Sequence, residues 1–392
     1  MSVGGSTIAA ELAALSPWAE QAPRIAVEER RARIARAEAA LATIGADALL
    51  VTAGPSLRYF TGVSWSPTER LVALLIRLGR TPAMICPAFE RGSLDAELAI
   101  DADVLLWEEH EDPVALVADA AGPTATIALD PLLPFMITER VRASRRVTDG
   151  APVIDGLRRI KSPAELALMR QAMAMTLEVH RRASRILTPG IRASTVKRFI
   201  DDAHRAVGAA GSTFCAVQFG LATAFPHGLP GDQELEEGQL VLVDTGCLVD
   251  GYHSDLTRTY AFGDVDADIR ATWDLEHRAQ AAAFAAVHPG ATCESIDAAA
   301  RAVLEDGGLG PDYRLPGLPH RTGHGIGLAI HEPAYLVRGD TTELAPGMCF
   351  SNEPMIVVPG RYGIRLEDHF HVTGTGAAWF TQPQPSIDEP FG

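Results

Sequence analysis

The stretch GQLVLVDTGCLVDGYHSDLTRTYAFG, residues 238–263, limits the fold more than any other. An apolar strand ends at Asp244, the dipeptide Asp250-Gly251 has the chemistry of a two-residue hairpin turn, and a second strand leaves from Tyr252. With that dipeptide at the turn, residue 249 pairs with 252 and 246 with 255. Asp255 then lies diagonal to Asp244 on the same face, about 7–8 Å away between backbones and within side-chain reach. Gly246, opposite Asp255, is expected to leave open space above the sheet. Two acids converging there suggest a cation site. The alternative is that one acid caps the turn while the other is solvated.

A second hairpin repeats the arrangement near the C-terminus. PGMCFSNEPMIVV carries Glu353 inside an apolar strand, and GIRLEDHFHVTG carries Glu367 and Asp368 on the return. If Val357 faces Gly363, Glu353 and Glu367 stand directly opposite each other, whereas a slip of one residue sends them to different faces. Unpaired buried carboxylates are costly, so acids inside apolar runs call for a counter-charge. Between the hairpins, HRTGHGIGLAIHEP brings His320, His324 and His331 close together in sequence. Four carboxylates with imidazole make a hard donor set. It suits a divalent pair such as Mn²⁺, Fe²⁺ or Co²⁺ better than a structural zinc. Two such ions, about 3.5–4 Å apart, activate a bridging water and polarise a carbonyl.

The rest of the chain frames this region. At 392 residues two domains are expected, and 47% hydrophobic with 21% charged residues is a soluble globular composition. A net charge of −16 argues against a nucleic-acid partner. Cys86, Cys215, Cys247, Cys293 and Cys349 are odd in number and scattered, which indicates neither a disulfide framework nor a zinc ribbon. The first residues lack the basic start and apolar core of a signal peptide, and no apolar run reaches the roughly 20 residues of a membrane span. A cytoplasmic protein without a membrane partner is expected.

The first half alternates helices and strands. EERRARIARAEAALATIG puts Ile34, Ala37, Leu41 and Ile44 on one helix face, ended by Gly45, and DALLVTAG, RLVALLIRLG and TPAMICPAF are strand candidates. A restart follows at KSPAEL, where Ser162, Pro163 and Glu165 form a helix start with a capping-box acid. Helices and then strand pairs beyond it give an α+β pattern. The expected division is an N-terminal α/β domain over 1–157 and a catalytic domain over 158–392.

The set Asp244, Asp255, His324, Glu353 and Glu367, with its flanks DTG, SDLTRT, GHGIG, NEP and RLED, resembles the metal-binding set of the M24 metallopeptidases. This pita-bread family includes methionine aminopeptidase, aminopeptidase P, prolidase and the metal-free creatinase. SLRYFTGVSW resembles the N-terminal creatinase-like domain shared by prolidase, aminopeptidase P and creatinase. The resemblance implies a catalytic domain of pita-bread (creatinase/aminopeptidase-like) fold. It also implies that Asp244 chelates one metal, Asp255 and Glu367 bridge both, and His324 and Glu353 complete the second. It makes His227 and His331 substrate-facing, Glu353 the proton shuttle, and Arg365 an arginine that orients ligands.

An Xaa-Pro dipeptidase of two divalent ions is therefore expected, with Mn²⁺ first and Co²⁺, Fe²⁺ or Zn²⁺ as alternatives. The substrate would be a small peptide and the assembly a homodimer. The alternatives are an aminopeptidase P acting on longer peptides, or a hydrolase or lyase of a small osmolyte such as an ectoine-type amide. The tyrosine and arginine that many prolidases use for the dipeptide carboxylate are replaced here; Thr213 or Phe214 stands in one place, and Arg338 is the nearest arginine, out of step. His320 is assigned to the cleft wall. His253, His369 and His371 are assigned to the face away from the acids, and Cys247 and Cys349 to the core.

Overall fold

The computed structural model describes residues 3–392 apart from His227. They form two compact units, Arg24–Arg159 and Ile160–Gly392, the second including the residues up to Pro23. The sequence division placed those first residues with the N-terminal domain. They pack on the second unit because their polar groups are satisfied there. Gly4 N donates to Ser184 O (2.9 Å), Trp18 N to Val207 O (2.9 Å), and buried Glu11 pairs with Arg182 (3.1 Å) and Arg185 (3.2 Å).

The unit Arg24–Arg159 is built on a six-stranded mixed sheet. Its strands are β1 (Ala48–Thr52), β2 (Ala73–Arg77), β3 (Arg80–Pro87), β4 (Asp103–Trp107), β5 (Thr126–Leu129) and β6 (Arg146–Asp149), in spatial order β4-β3-β2-β1-β5-β6. The central strands β1 and β2 are buried along their whole length, so apart from Thr52 and Arg77 at their ends their residues are apolar without alternation. Helix Val27–Leu41 buries Ile34, Ala37 and Leu41, and the chain stops turning at Gly45, whose φ of 66° favours glycine.

The second unit repeats one plan twice. Helix Pro163–Arg185 starts at Ser162 with a full capping box, and helix Ala193–Ala206 follows a Pro-Gly turn. Helices Ala267–Ala285 and Cys293–Asp306 are joined through a second Pro-Gly turn. In the first half Gly190 N donates to Leu235 O (2.7 Å) and Leu235 N to Ile191 O (3.0 Å). In the second half Gly290 N donates to Leu344 O (2.9 Å) and Leu344 N to Ala291 O (2.8 Å). Each clasp lies a few residues before the stretch that delivers an acid, Asp244 in the first half and Glu353 in the second.

The first half supplies the antiparallel sheet β11-β8-β7, made of β7 (Phe214–Phe219), β8 (Gln239–Gly246) and β11 (Leu256–Phe262). Between β8 and β11 lie the short pair β9 (Leu248–Val249) and β10 (Tyr252–His253). The second half supplies β12 (Gly323–Gly325), β13 (Glu332–Leu336), β14 (Cys349–Asn352), β15 (Met355–Val358), β16 (Tyr362–Arg365), β17 (Asp368–Val372) and β18 (Ala377–Trp379). Five of these form the sheet β13-β12-β14-β17-β18. Glu367 N donates to Thr257 O (3.1 Å), which ties the two hairpins together.

Beneath the first hairpin, His204 is fully buried with Nε2 3.1 Å from Thr176 Oγ1 and Nδ1 2.9 Å from Ser212 Oγ. Burial pushes its pKa down to about 4 from an ordinary value of 6.5. The unfolded chain therefore takes up a proton between pH 6.5 and 4 that the native state refuses, and this contribution to stability is lost as pH falls through that window. Urea unfolding at pH 7.5 and pH 5 should show a smaller acid loss for His204→Asn than for the wild type. The expected difference is on the order of 1–2 kcal/mol; equal losses would contradict it.

Candidate metal centre

The register of both hairpins brings the acids together. Tyr252 pairs with Val249, Leu256 with Thr245 and Thr257 with Asp244, so one continuous register runs from the Asp250-Gly251 turn into β8 and β11. Asp250 adopts φ 47° and Gly251 φ 85°, the positive values such a turn requires. Asp255 thus sits diagonal to Asp244. Val357 faces Gly363 in the second hairpin, and Asn352 faces Asp368 beyond it, which leaves Glu353 across from Glu367.

The glycines serve a different purpose from the expected one. A side chain on Gly246 would collide with the Ser254 carbonyl oxygen, so no open space lies there. Likewise a Cβ on Gly323 would strike the Ser351 carbonyl oxygen, and one on Gly325 would come within 2.5 Å of the Glu332 carbonyl oxygen. These glycines let neighbouring strands approach closely, and so fix where His324 stands.

The side chains converge. One donor atom each from Asp255, His324, Glu367 and His369 lies within 4.8 Å of the others, and all four residues are buried. His324 Nε2 is 3.7 Å from Asp255 and 3.2 Å from Glu353. Its Nδ1 is 3.0 Å from the Gly325 carbonyl oxygen, the contact of a donated N–H that orients the ring. Thr257 Oγ1 donates to Glu367 (2.7 Å) and Ser351 Oγ to Glu353 (3.1 Å). Arg365 Nη2 donates to Asp244 (2.5 Å) while its Nε donates to Thr257 Oγ1 (3.1 Å).

Electrostatics expose the strain in this arrangement. Burial raises the pKa of Asp255 well above the ordinary value, and Glu367, Asp244 and Glu353 raise it further. Glu367 is raised well above its ordinary value by burial and then by Glu353 and Asp244. Burial also raises Asp244, against the pull of Arg365. Glu353 is the exception: burial opposes it, but the hydrogen bond and charge of His324 hold it below the usual carboxylate range. Asp244 Oδ1 and Glu367 Oε1 are buried without a hydrogen-bond partner. Oxygen atoms left bare in a crowd of like charges are what a cation would satisfy, so the residues present fit divalent metal ions.

The expected residues fall as follows. Asp244, Asp255, His324, Glu353, Glu367 and Arg365 come together, and His331 stacks edge-on against His324 with ring centroids 4.4 Å apart. His227 lies outside the described residues. His320 is half-buried, its Nδ1 2.6 Å from the Arg321 carbonyl oxygen. Cys247 and Cys349 are core residues; burial pushes the Cys349 thiol up to about 12. The assignment of His369 needs correcting: its ring is buried with Nε2 3.9 Å from Glu367 and joins the cluster. Residues two apart along extended chain share a side, so the spacing from Glu367 already carried that signal.

The C-terminal residues 167–374 match the model of metallopeptidase family M24, and residues 33–160 match the creatinase/prolidase N-terminal domain. The chain belongs to metallopeptidase family M24. A probable dipeptidase PepE of Mycobacterium tuberculosis is 39% identical over 352 residues, covering 88% of this chain and 92% of the relative. An Xaa-Pro dipeptidase of Lactobacillus helveticus is 34% identical over 348 residues, covering 85% and 92%. The crystal structure of dipeptidase PepE from Mycobacterium ulcerans superposes with a TM-score of 0.85 at 36% identity, covering 92% of this chain and 97% of that one. The M24 fold expected from the sequence, with its creatinase-like N-terminal domain, is therefore present, and the buried cluster could hold the divalent metal ions that family membership implies.

The crowding of carboxylates gives a direct test. In the metal-free protein Asp255→Asn should raise stability at pH 7.5 by about 1–3 kcal/mol, because a carboxyl with a raised native pKa destabilises the fold once it is charged. The advantage should shrink as pH falls and wild-type Asp255 becomes protonated. The same variant should lose most of its bound metal, measured by elemental analysis. A variant less stable than metal-free wild type, with full metal content, would contradict both expectations.

Proposed function

We propose that the chain is a dinuclear-metal hydrolase that cleaves the Xaa-Pro bond of dipeptides. One observation carries this reading: four carboxylates from two hairpins converge with His324, while Arg365 is the one guanidinium hydrogen-bonded to any of them among the described residues. The dipeptidase names of relatives matched over more than nine tenths of their length support the dipeptide as substrate. The catalytic work is assigned to the domain from residue 158 onward.

Asp244, Asp255, His324, Glu353 and Glu367 would hold two divalent ions, Mn²⁺ before Co²⁺, Fe²⁺ or Zn²⁺. Bound there, the ions would acidify a water and polarise the scissile carbonyl. The remaining work belongs to the chain itself. Glu353, hydrogen-bonded by Ser351 Oγ, would accept a proton and return it to the departing nitrogen. Arg365 keeps the Asp244 carboxylate in one orientation through its bonds to Asp244 and Thr257. His331 is exposed beside His324, where it can donate to the oxyanion that develops at the carbonyl. His227 is assigned the same task from the family resemblance. The nitrogen of an Xaa-Pro bond has no N–H, so a hydrolase for it must grip the carbonyl and the flanking groups instead.

We also place the protein in the cytoplasm as a homodimer. Five free cysteines support a reducing compartment, and the family resemblance supports the dimer. Among the described residues no helix is long and apolar enough to cross a membrane.

The test is turnover of Gly-Pro, Leu-Pro and a Leu-Pro tripeptide by protein stripped with chelator and reloaded with Mn²⁺. The dipeptides should be cleaved, activity should fall at least about 100-fold on stripping and return on reloading. His331→Ala should lower kcat by about 10²–10³. Failure of the loaded protein to cleave any of the three peptides would remove the peptidase reading, and cleavage of the tripeptide alone would replace it with aminopeptidase P activity.

A further inference from the structure

A dipeptide differs from a longer peptide in carrying a free carboxylate on its leaving residue, and selective recognition of that group needs a fixed cation. Arg338, the nearest arginine in the sequence reading, does not meet the need: it is exposed and its guanidinium is ion-paired with Asp312. Arg321 does. It is half-buried, three residues before His324, on a backbone pinned from both sides. Arg301 donates to His320 O (2.6 Å) and Leu318 O (3.1 Å). Asp297 accepts from Thr322 N (3.2 Å) and Thr322 Oγ1 (2.7 Å), and Thr322 O accepts from Glu353 N (2.8 Å).

The Arg321 side chain has a defined seat. Its guanidinium lies over the Tyr335 ring, 4.6 Å from the centroid. Tyr335 is the cross-strand partner of His324, so both side chains rise from one face of the sheet. The stack therefore holds a positive charge on the face that carries the candidate metal ligand. Among the described residues nothing accepts a hydrogen bond from the Arg321 side chain, so its planar pair of donors is open to a ligand. A guanidinium stacked on an aromatic ring keeps its edge free for bidentate contact with a carboxylate.

We propose that Arg321 binds the free carboxylate of the substrate and so sets the preference for dipeptides; this rests on the Xaa-Pro dipeptidase reading above. The experiment compares Mn²⁺-loaded wild type, Arg321→Gln and Arg321→Lys on Leu-Pro and on Leu-Pro amide. For Arg321→Gln the KM for Leu-Pro should rise at least about tenfold with kcat within about threefold, and the amide should be handled as by wild type. Arg321→Lys should fall between, because it keeps the charge but loses the fork. Proline should inhibit Arg321→Gln at least about tenfold more weakly than wild type, while prolinamide inhibits both alike. An unchanged KM for Leu-Pro, equal losses on acid and amide, or wild type with no preference for the acid would overturn the proposal. If Arg321→Gln does not fold, Arg321→Lys carries the same comparison. Should wild type cleave neither substrate, the dipeptidase reading fails on its own. Calorimetric binding of proline against prolinamide to wild type and variants then still decides Arg321, and equal affinities would overturn it.

Discussion

Asp244, Asp255, Glu353 and Glu367 face one another inside the second unit, and one guanidinium, that of Arg365, is bonded to one of them. Like charges held this close in a medium of low dielectric repel strongly, and the pKa values of Asp255 and Glu367 are raised first by burial and then by that repulsion. No fold would keep such a group by packing alone. The surrounding structure has to hold the side chains in place, and a cation has to repay the cost. Everything else in the unit can be read as the apparatus that does the holding.

That apparatus is duplicated. Two Pro-Gly clasps, each closed by a pair of backbone hydrogen bonds, lie a few residues before two strands that bring an acid to one spot, Asp244 from β8 and Glu353 just beyond β14. The return strand of each hairpin delivers the second acid, Asp255 or Glu367. The Thr257–Glu367 contacts stitch the halves together at the point where the acids meet. Glycines at 246, 323 and 325 allow the strands to come close enough for this to work. Repeating one scaffold thus solves a problem of convergence: neither hairpin alone could bring all four acids to one place.

Much of this was legible in the sequence, for identifiable reasons. The Asp250-Gly251 turn left one plausible register, so the diagonal placement of Asp244 and Asp255 followed from turn chemistry alone. The capping box at Ser162 and the glycine stop at Gly45 are local signals, and both appear where expected. Other features depend on contacts between distant segments. That residues up to Pro23 pack on the second unit is decided by acceptors such as Ser184 O and Val207 O, which no local pattern announces. The steric role of Gly246 depends on the Ser254 backbone crossing it. His369 is a different case: it is adjacent to Asp368 but two residues from Glu367, and along extended chain the second spacing puts it on the side of the cluster.

The central claim is that the carboxylate crowd exists to hold two metal ions. Anomalous X-ray diffraction from crystals loaded with Mn²⁺ tests it most directly. The account predicts two anomalous peaks about 3.5–4 Å apart, within coordination distance of Asp244, Asp255, His324, Glu353 and Glu367. A fully loaded crystal with its peaks elsewhere, or with none between the two hairpins, would contradict it.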